Sequence, residues 1–389
     1  MRTIGVITVA RSDWGIYQPI LRKIQGCSDL DLHLMVSGMH LSPEFGQTVK
    51  VIESEGFEIK ERVEMLLSSD TPEGISKSMG LGTIGFAQAF ARFQPDILLV
   101  LGDRFEMLTA VIAAMPFTIP VAHIHGGETT EGSIDEAIRH SITKMSHLHF
   151  VSTENYRRRV VQLGEEPWRV TISGAPSLDN IGTIDLLSLS QLRQKIKIPF
   201  KEPPLLATFH PVTLEYGDTN TQVTELLAAL KNFDLPIVFT YPNADTHGRL
   251  IINAINQFIE THPQAWAVAN LGTQAYFSLL KTAVAMVGNS SSGIIEAASF
   301  ELPVVNIGNR QHGRIHSDNV INVGNQRNLI LKGIKNAISP EFRARLSGMV
   351  NPYGRGNAAS TITHIIQNIS LDQRLIQKKF YDIPSKEAG

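Results

Sequence analysis

The chain has 389 residues with 35 lysines and arginines against 37 aspartates and glutamates, a formal charge of −2, which excludes the basic excess that nucleic-acid binding requires. With 43% hydrophobic and 19% charged residues it can fill sizeable cores, which excludes disorder, and it exceeds the roughly 250–300 residues at which one core stops growing, so two domains are expected. A single cysteine, Cys27, rules out an internal disulfide framework or a multi-cysteine metal site and fits a reducing cytoplasm.

The opening apolar run, residues 4–10, is short for a secretory core, lacks a cleavage site and stops at Arg11-Ser12-Asp13. It reads as the first strand, over residues 3–9. Further β-branched runs follow at 31–37, 57–64, 96–101, 119–123, 148–152 and 169–173, separated by segments of helical period at 14–24, 73–93, 106–115, 134–146 and 154–163. Between about 184 and 204 the strands disappear, and Pro199, Pro203 and Pro204 close a domain junction. The alternation resumes with strands at 205–210, 237–241, 266–270, 284–288 and 303–307, and helices near 222–231, 246–261, 275–281 and 293–299. No run approaches the roughly 20 apolar residues of a membrane span, because 97–124 is broken by Asp103, Arg104 and Glu106. The expectation is a soluble α/β protein of two doubly wound parallel-sheet domains, with ligands in the cleft where strand ends converge.

Polar residues collect after the strands. Gly288-Asn289-Ser290-Ser291-Ser292-Gly293 follows one strand and opens a helix carrying Glu296, an arrangement that reads either as an anion site or as an ordinary serine cap. Arg11 follows the first strand, and Gly102-Asp103-Arg104 the fourth. The densest cluster is His123-Ile124-His125-Gly126-Gly127-Glu128, followed by Asp135-Glu136 and Arg139-His140. His147 and His149 precede the next strand, at the opposite sheet edge, so acid–base work or hydrogen bonding suits the histidines better than a metal site. In the second half His210, Asn243, Asp245 and Arg310 also follow strands.

Taken together, Arg11-Ser12-Asp13, Gly102-Asp103-Arg104, His123 to Glu128, Ile138-Arg139-His140, Phe209-His210-Pro211, Gly288-Asn289-Ser290-Ser291 with Glu296, and Asn306 to Gln311 resemble the hydrolysing UDP-N-acetylglucosamine 2-epimerases, nearest to those that open sialic-acid and legionaminic-acid synthesis. The resemblance spans residues 3–370 and implies a GT-B architecture. Its domains would be 1–183 on the hexose side, 204–358 on the UDP side, and a C-terminal helix and tail, 359–389, crossing back to the first. By similarity, Ser290, Ser291, Arg310 and Arg11 would hold the diphosphate, Glu296 the ribose, and His210 and Asn243 the border between phosphates and sugar. Asp103, Arg104 and Asp135 would face the hexose.

Several members of that family have a glutamate where this chain has His125, which leaves acid–base work to His125 or to Asp103 and Asp135. Catalytic roles are thus expected of Asp103, His125, Asp135 and His210, with Arg11, Arg310, His210 and the serines supplying positive potential for the leaving diphosphate. The implied reaction needs no metal and no cofactor, takes a nucleotide sugar as its small-molecule partner, and comes from a homo-oligomer. UDP-N-acetylglucosamine is the first substrate expected and UDP-N,N'-diacetylbacillosamine the alternative. A GT-B glycosyltransferase, a non-hydrolysing epimerase and a nucleotide-sugar sensor are the competing readings.

Overall fold

A computed structural model describes residues 1–69, 71–242 and 247–383. The first half forms a seven-stranded sheet from β1 (Arg2–Thr8), β2 (Leu30–Ser37), β3 (Ile59–Val63), β4 (Ile97–Leu101), β5 (Val121–Ile124), β6 (Leu148–Val151) and β7 (Val170–Ile172). All neighbours pair in parallel, in the order 3-2-1-4-5-6-7. The second half forms a six-stranded parallel sheet from β8 (Leu205–Thr208), β9 (Ile237–Thr240), β10 (Ala265–Val268), β11 (Ala285–Gly288), β12 (Val304–Ile307) and β13 (Val320–Val323), ordered 10-9-8-11-12-13. The two sheets therefore share one winding.

Parallel strands covered by helices on both faces need continuous apolar runs, and β4 supplies one in Ile97-Leu98-Leu99-Val100-Leu101, all buried. Each sheet reverses its winding at one point, between β1 and β4 and between β8 and β11, and a doubly wound sheet opens its ligand crevice there. Gly288, with φ +139°, ends β11 opposite Thr208; a β-carbon at Gly288 would lie 1.8 Å from the Thr208 carbonyl oxygen, so only glycine fits.

β13 was not anticipated. It is a half-exposed edge strand, Val-Ile-Asn-Val, too short and mixed to stand out by periodicity. Helices Val49–Ser54, Leu189–Ile196, Arg327–Ala337, Pro340–Ala344 and Gln373–Ile376 likewise lie outside the expected elements.

The chain ends on its own beginning. Helix Ala358–Asn368 packs on helix Arg11–Gln25, and Ala358, Ala359, Ile362, Ile366 and Leu375 belong to the core of the first sheet. Asp179 accepts from the Ala358 and Ala359 N–H groups at 2.9 and 2.7 Å, satisfying donors that a helix start leaves open. Buried Arg169 donates to the carbonyls of Arg374 and Leu375, and Lys378 reaches those of Lys144 and Ser146. No helix among the described residues is long and apolar enough to cross a membrane.

Candidate active site

Because both sheets reverse facing one another, residues that follow β1, β4 and β5 meet residues that follow β8 and β11 in a cavity of about 330 Å³. Arg11, Asp103, Arg104, His125, Asp135, His210, Ser290, Ser291, Glu296 and Arg310 all line it. Asn243 and Asp245 lie outside the described residues.

The C-terminal wall is organised by Asn289, buried and directly following β11. It exchanges hydrogen bonds with the His210 backbone at 2.7 and 2.9 Å, while its carbonyl accepts from Arg310 Nη1 and Gln311 Nε2. The helix after Ser290 is a single turn, Ser291–Ile295, with Glu296 at its end. The helix expected over 293–299 is replaced by this turn and a 3-10 turn, Ala297–Phe300, so a helix dipole contributes little. Ser290 Oγ accepts from the Ser292 N–H, so Ser290 is also a cap. Glu296 takes a 2.5 Å hydrogen bond from Ser177 of the first half, and burial raises its carboxyl above the ordinary range.

His210 corrects an expectation. Burial, with Arg310, Arg11 and Arg104 nearby, holds its imidazole well below the ordinary range, so it is neutral near pH 7 and brings a hydrogen-bonding nitrogen without a charge. Its Nδ1 has no protein partner among the described residues. Positive potential there comes from the guanidiniums. Arg11 reaches across the cleft to the Tyr241 carbonyl at 2.6 Å.

On the N-terminal wall Arg104 forks onto buried Glu106 with two 3.1 Å contacts. Asp13 beside them accepts from the Val9 and Ala10 N–H groups at 3.1 Å, yet burial raises its carboxyl to about 6. Asp103 pairs with Arg139, which also donates to the His125 carbonyl and to Thr130 Oγ1. Asp135 opens helix Asp135–Met145 and accepts from Ser133 Oγ at 2.5 Å. Glu136, next to Asp135 in the same cluster, accepts from the Thr130 N–H and contacts His140, and it does not line the cavity.

The histidines diverge. His123 Nε2 meets the Gly102 carbonyl, and His149, inside β6 where a position before the strand was expected, meets buried Glu165. No group of three or more metal-ligating side chains converges among the described residues. His125, at φ +65°, turns its Nδ1 to Glu128 Oε1 at 2.6 Å while its buried Nε2 has no protein partner among the described residues. Glu128 also faces Arg314 Nη1, at 3.1 Å, from the other half. Burial alone would raise the Glu128 carboxyl, but His125 and Arg314 overrule it and hold it below the carboxylate range. Sequence reasoning did not single out Glu128, Arg139 or Arg314 as site residues. The first two stand inside motifs whose signal comes from their neighbours, and Arg314 stands in a loop without a motif.

The family model described as UDP-N-acetylglucosamine 2-epimerase matches residues 22–367. The chain is 38% identical to the GDP/UDP-N,N'-diacetylbacillosamine 2-epimerase (hydrolyzing) of Campylobacter jejuni, over 98% of this chain and 99% of that one. It is 36% identical to the UDP-N,N'-diacetylbacillosamine 2-epimerase (hydrolyzing) of Legionella pneumophila, over 97% and 99%. Among solved structures, the UDP-GlcNAc 2-epimerase from Neisseria meningitidis bound to UDP-GlcNAc shares the fold with a TM-score of 0.80 at 17% identity, covering 94% of this chain and 99% of that one.

Proposed function

The chain belongs to the hydrolysing UDP-N-acetylglucosamine 2-epimerase family, and from that premise we propose that it converts a UDP-linked 2-acetamido sugar into UDP and the free C2 epimer, with N,N'-diacetylbacillosamine as the sugar. One observation carries the reading: a single cavity is lined on one wall by Ser290, Ser291, Arg310 and Arg11, and on the other by Asp103, His125 and Asp135. A nucleotide-sugar sensor has no need of the second wall, and a glycosyltransferase has no need of a base at C2. The sugar follows the two relatives named above, which brings the sequence alternative ahead of N-acetylglucosamine.

In this reading Arg11, Arg310 and the serines receive the diphosphate, and Glu296 accepts from the ribose hydroxyls. The ring passes through an oxocarbenium-like state that the Asp103 and Asp135 carboxylates favour. As the C1–O bond breaks, its electron pair leaves with UDP. The C2 proton goes to His125 Nε2, and the C2–H electrons become the C1–C2 double bond of a glycal. Water then adds its oxygen at C1, and a proton returns to the opposite face of C2.

The test is product analysis by NMR with UDP-N,N'-diacetylbacillosamine and UDP-N-acetylglucosamine offered in parallel, with no metal or acceptor added. UDP together with a free manno-configured sugar is the expected result. Turnover only with an acceptor sugar would make the protein a transferase, and a product still joined to UDP would make it a non-hydrolysing epimerase.

A further inference from the structure

His125 and Glu128 belong to the N-terminal half, whereas Arg314 follows β12 in the half that carries the serine wall. Glu128 is 1% exposed and has three neighbours: His125 Nδ1 at 2.6 Å, Ser152 Oγ at 2.7 Å and Arg314 Nη1 at 3.1 Å. Arg314 also donates from Nε to the Thr129 carbonyl at 2.8 Å. Its loop is seated on the first half through Tyr156, whose hydroxyl accepts from the Ile315 N–H and meets the hydroxyl of Tyr353, which in turn donates to the Ile315 carbonyl. Every one of the Arg314 contacts to Glu128 and Thr129 therefore exists only while the two halves are apposed.

We propose that Arg314 is a positioning residue that couples apposition of the two halves to the readiness of His125 as a base, an inference that rests on the reading that His125 takes the C2 proton. An ionised carboxylate can only accept, so Nδ1 of a neutral His125 carries its proton toward Glu128 and Nε2 presents a lone pair to the cavity. Glu128 has a single negative charge to share between two cations, the Arg314 guanidinium and a His125 imidazolium. With Arg314 in place that charge is already met and a second cation beside it is disfavoured. With Arg314 withdrawn, Glu128 favours the imidazolium, whose Nε2 bears a proton and can take no other.

Two of the other charged groups around the ring stay with it in both situations. Arg139 meets the His125 carbonyl but is paired with Asp103. His123, on β5, is held at about 3 by burial and stays neutral. Glu296, bound to Ser177, faces His125 from the C-terminal half and withdraws together with Arg314; a substitution at position 314 leaves it in place and so isolates the Arg314 contribution.

The experiment is the pH profile of kcat for the full-length protein and its Arg314→Gln and Arg314→Lys variants, with UDP calorimetry and deuterium wash-in at C2. Arg314→Gln should move the acid limb up by about one pH unit and lower kcat about ten-fold at pH 6, with recovery toward pH 9, while UDP affinity stays within about three-fold. Arg314→Lys should restore the limb. A fall in kcat that is the same at every pH would make Arg314 merely structural, and a ten-fold or greater loss of UDP affinity would make it a diphosphate ligand; either overturns the proposal. A His125→Gln variant separates the two layers: undiminished deuterium wash-in strikes His125 as the base, whereas abolished wash-in with an unmoved Arg314→Gln limb strikes the coupling alone. Histidine-selective ¹⁵N NMR tests the same point without turnover. The signal lost in His125→Gln should report more imidazolium in Arg314→Gln than in the unaltered protein at the same pH, and an identical protonation state in the two would end the proposal.

Discussion

Ser177 donates a 2.5 Å hydrogen bond to Glu296 across the cleft, so a serine of the N-terminal half steadies the carboxylate expected to meet the ribose in the other. Burial raises that carboxyl, which sets a pH dependence for binding. Protonation removes an acceptor from the ribose hydroxyls, so UDP affinity should begin to fall, as pH drops, above the ordinary carboxylate range. Glu296→Gln should weaken UDP by about 1.5–3 kcal/mol at pH 8 and remove this part of the pH dependence, leaving the titration of the phosphate itself. Ser177→Ala, which withdraws a donor to the charged form, should move the fall to still higher pH. Calorimetry across pH 5–8 on the three proteins decides it; identical pH profiles would detach Glu296 from the ribose.

Binding and chemistry should separate along the two walls. Ser291→Ala and Arg310→Ala remove contacts to the diphosphate worth roughly 1–3 kcal/mol each, and UDP affinity should fall accordingly. Asp103→Asn keeps the shape beside Arg139, so UDP affinity should stay within a few-fold while kcat drops strongly. Titration calorimetry together with initial rates would show the reverse pattern if the cleft were oriented the other way.

The C2 hydrogen distinguishes epimerisation from simple hydrolysis. Turnover in deuterium oxide should place deuterium at C2 of the free sugar from the earliest times, since the returning proton comes from a group in exchange with solvent. His125→Gln retains hydrogen bonding without proton transfer and should abolish both exchange and turnover. Normal exchange in that variant would pass the role to Asp103 or Asp135. Proton NMR of the product reads this directly.

Asp13 yields a stability prediction. Its folded-state pKa, raised to about 6 by burial, exceeds the ordinary value of 3.8, so the folded chain holds its proton more tightly than the unfolded one. The associated stabilisation is complete below the unfolded value and is lost as pH rises through about 6, a difference of about 3 kcal/mol between pH 3 and pH 8. Asp13→Asn can still accept from the Val9 and Ala10 N–H groups, and its stability relative to the parent should improve by that order as pH rises over the same interval. Urea unfolding at several pH values measures it, and a difference that did not change with pH would show that Asp13 does not titrate in this window.

The winding of both sheets was legible because buried parallel strands must be apolar throughout, and each such run is followed by the polar residues of its loop. Arg11, Asp103, His125, His210 and Ser290 were found by that signal, and the cavity does gather them. The signal fails where function depends on what faces a residue from far along the chain. Arg139 lies in the middle of a helix and Arg314 in a loop without a motif, so neither sequence position announces its partner, Asp103 or Glu128. His210 shows the same limit in another form, since its type suggests a charge and only packing among Arg310, Arg11 and Arg104 reveals the neutral ring. β13 escaped because an edge strand with one wet face carries little hydrophobic contrast.

That Ala358, Ala359, Ile362, Ile366 and Leu375 complete the core around β1 has a consequence for the order in which the molecule is made. A ribosome delivers the first sheet long before it delivers the helix that covers part of it, so the half synthesised first is the half finished last. Until residues 358–376 emerge, the inner face of helix Arg11–Gln25 stays uncovered while the C-terminal half, whose strands all lie before residue 324, can already close. Nascent chains halted just short of the last helix should then hold a folded second half and a loosened first one, and a short C-terminal deletion should damage the N-terminal sheet more than the sheet it adjoins in sequence.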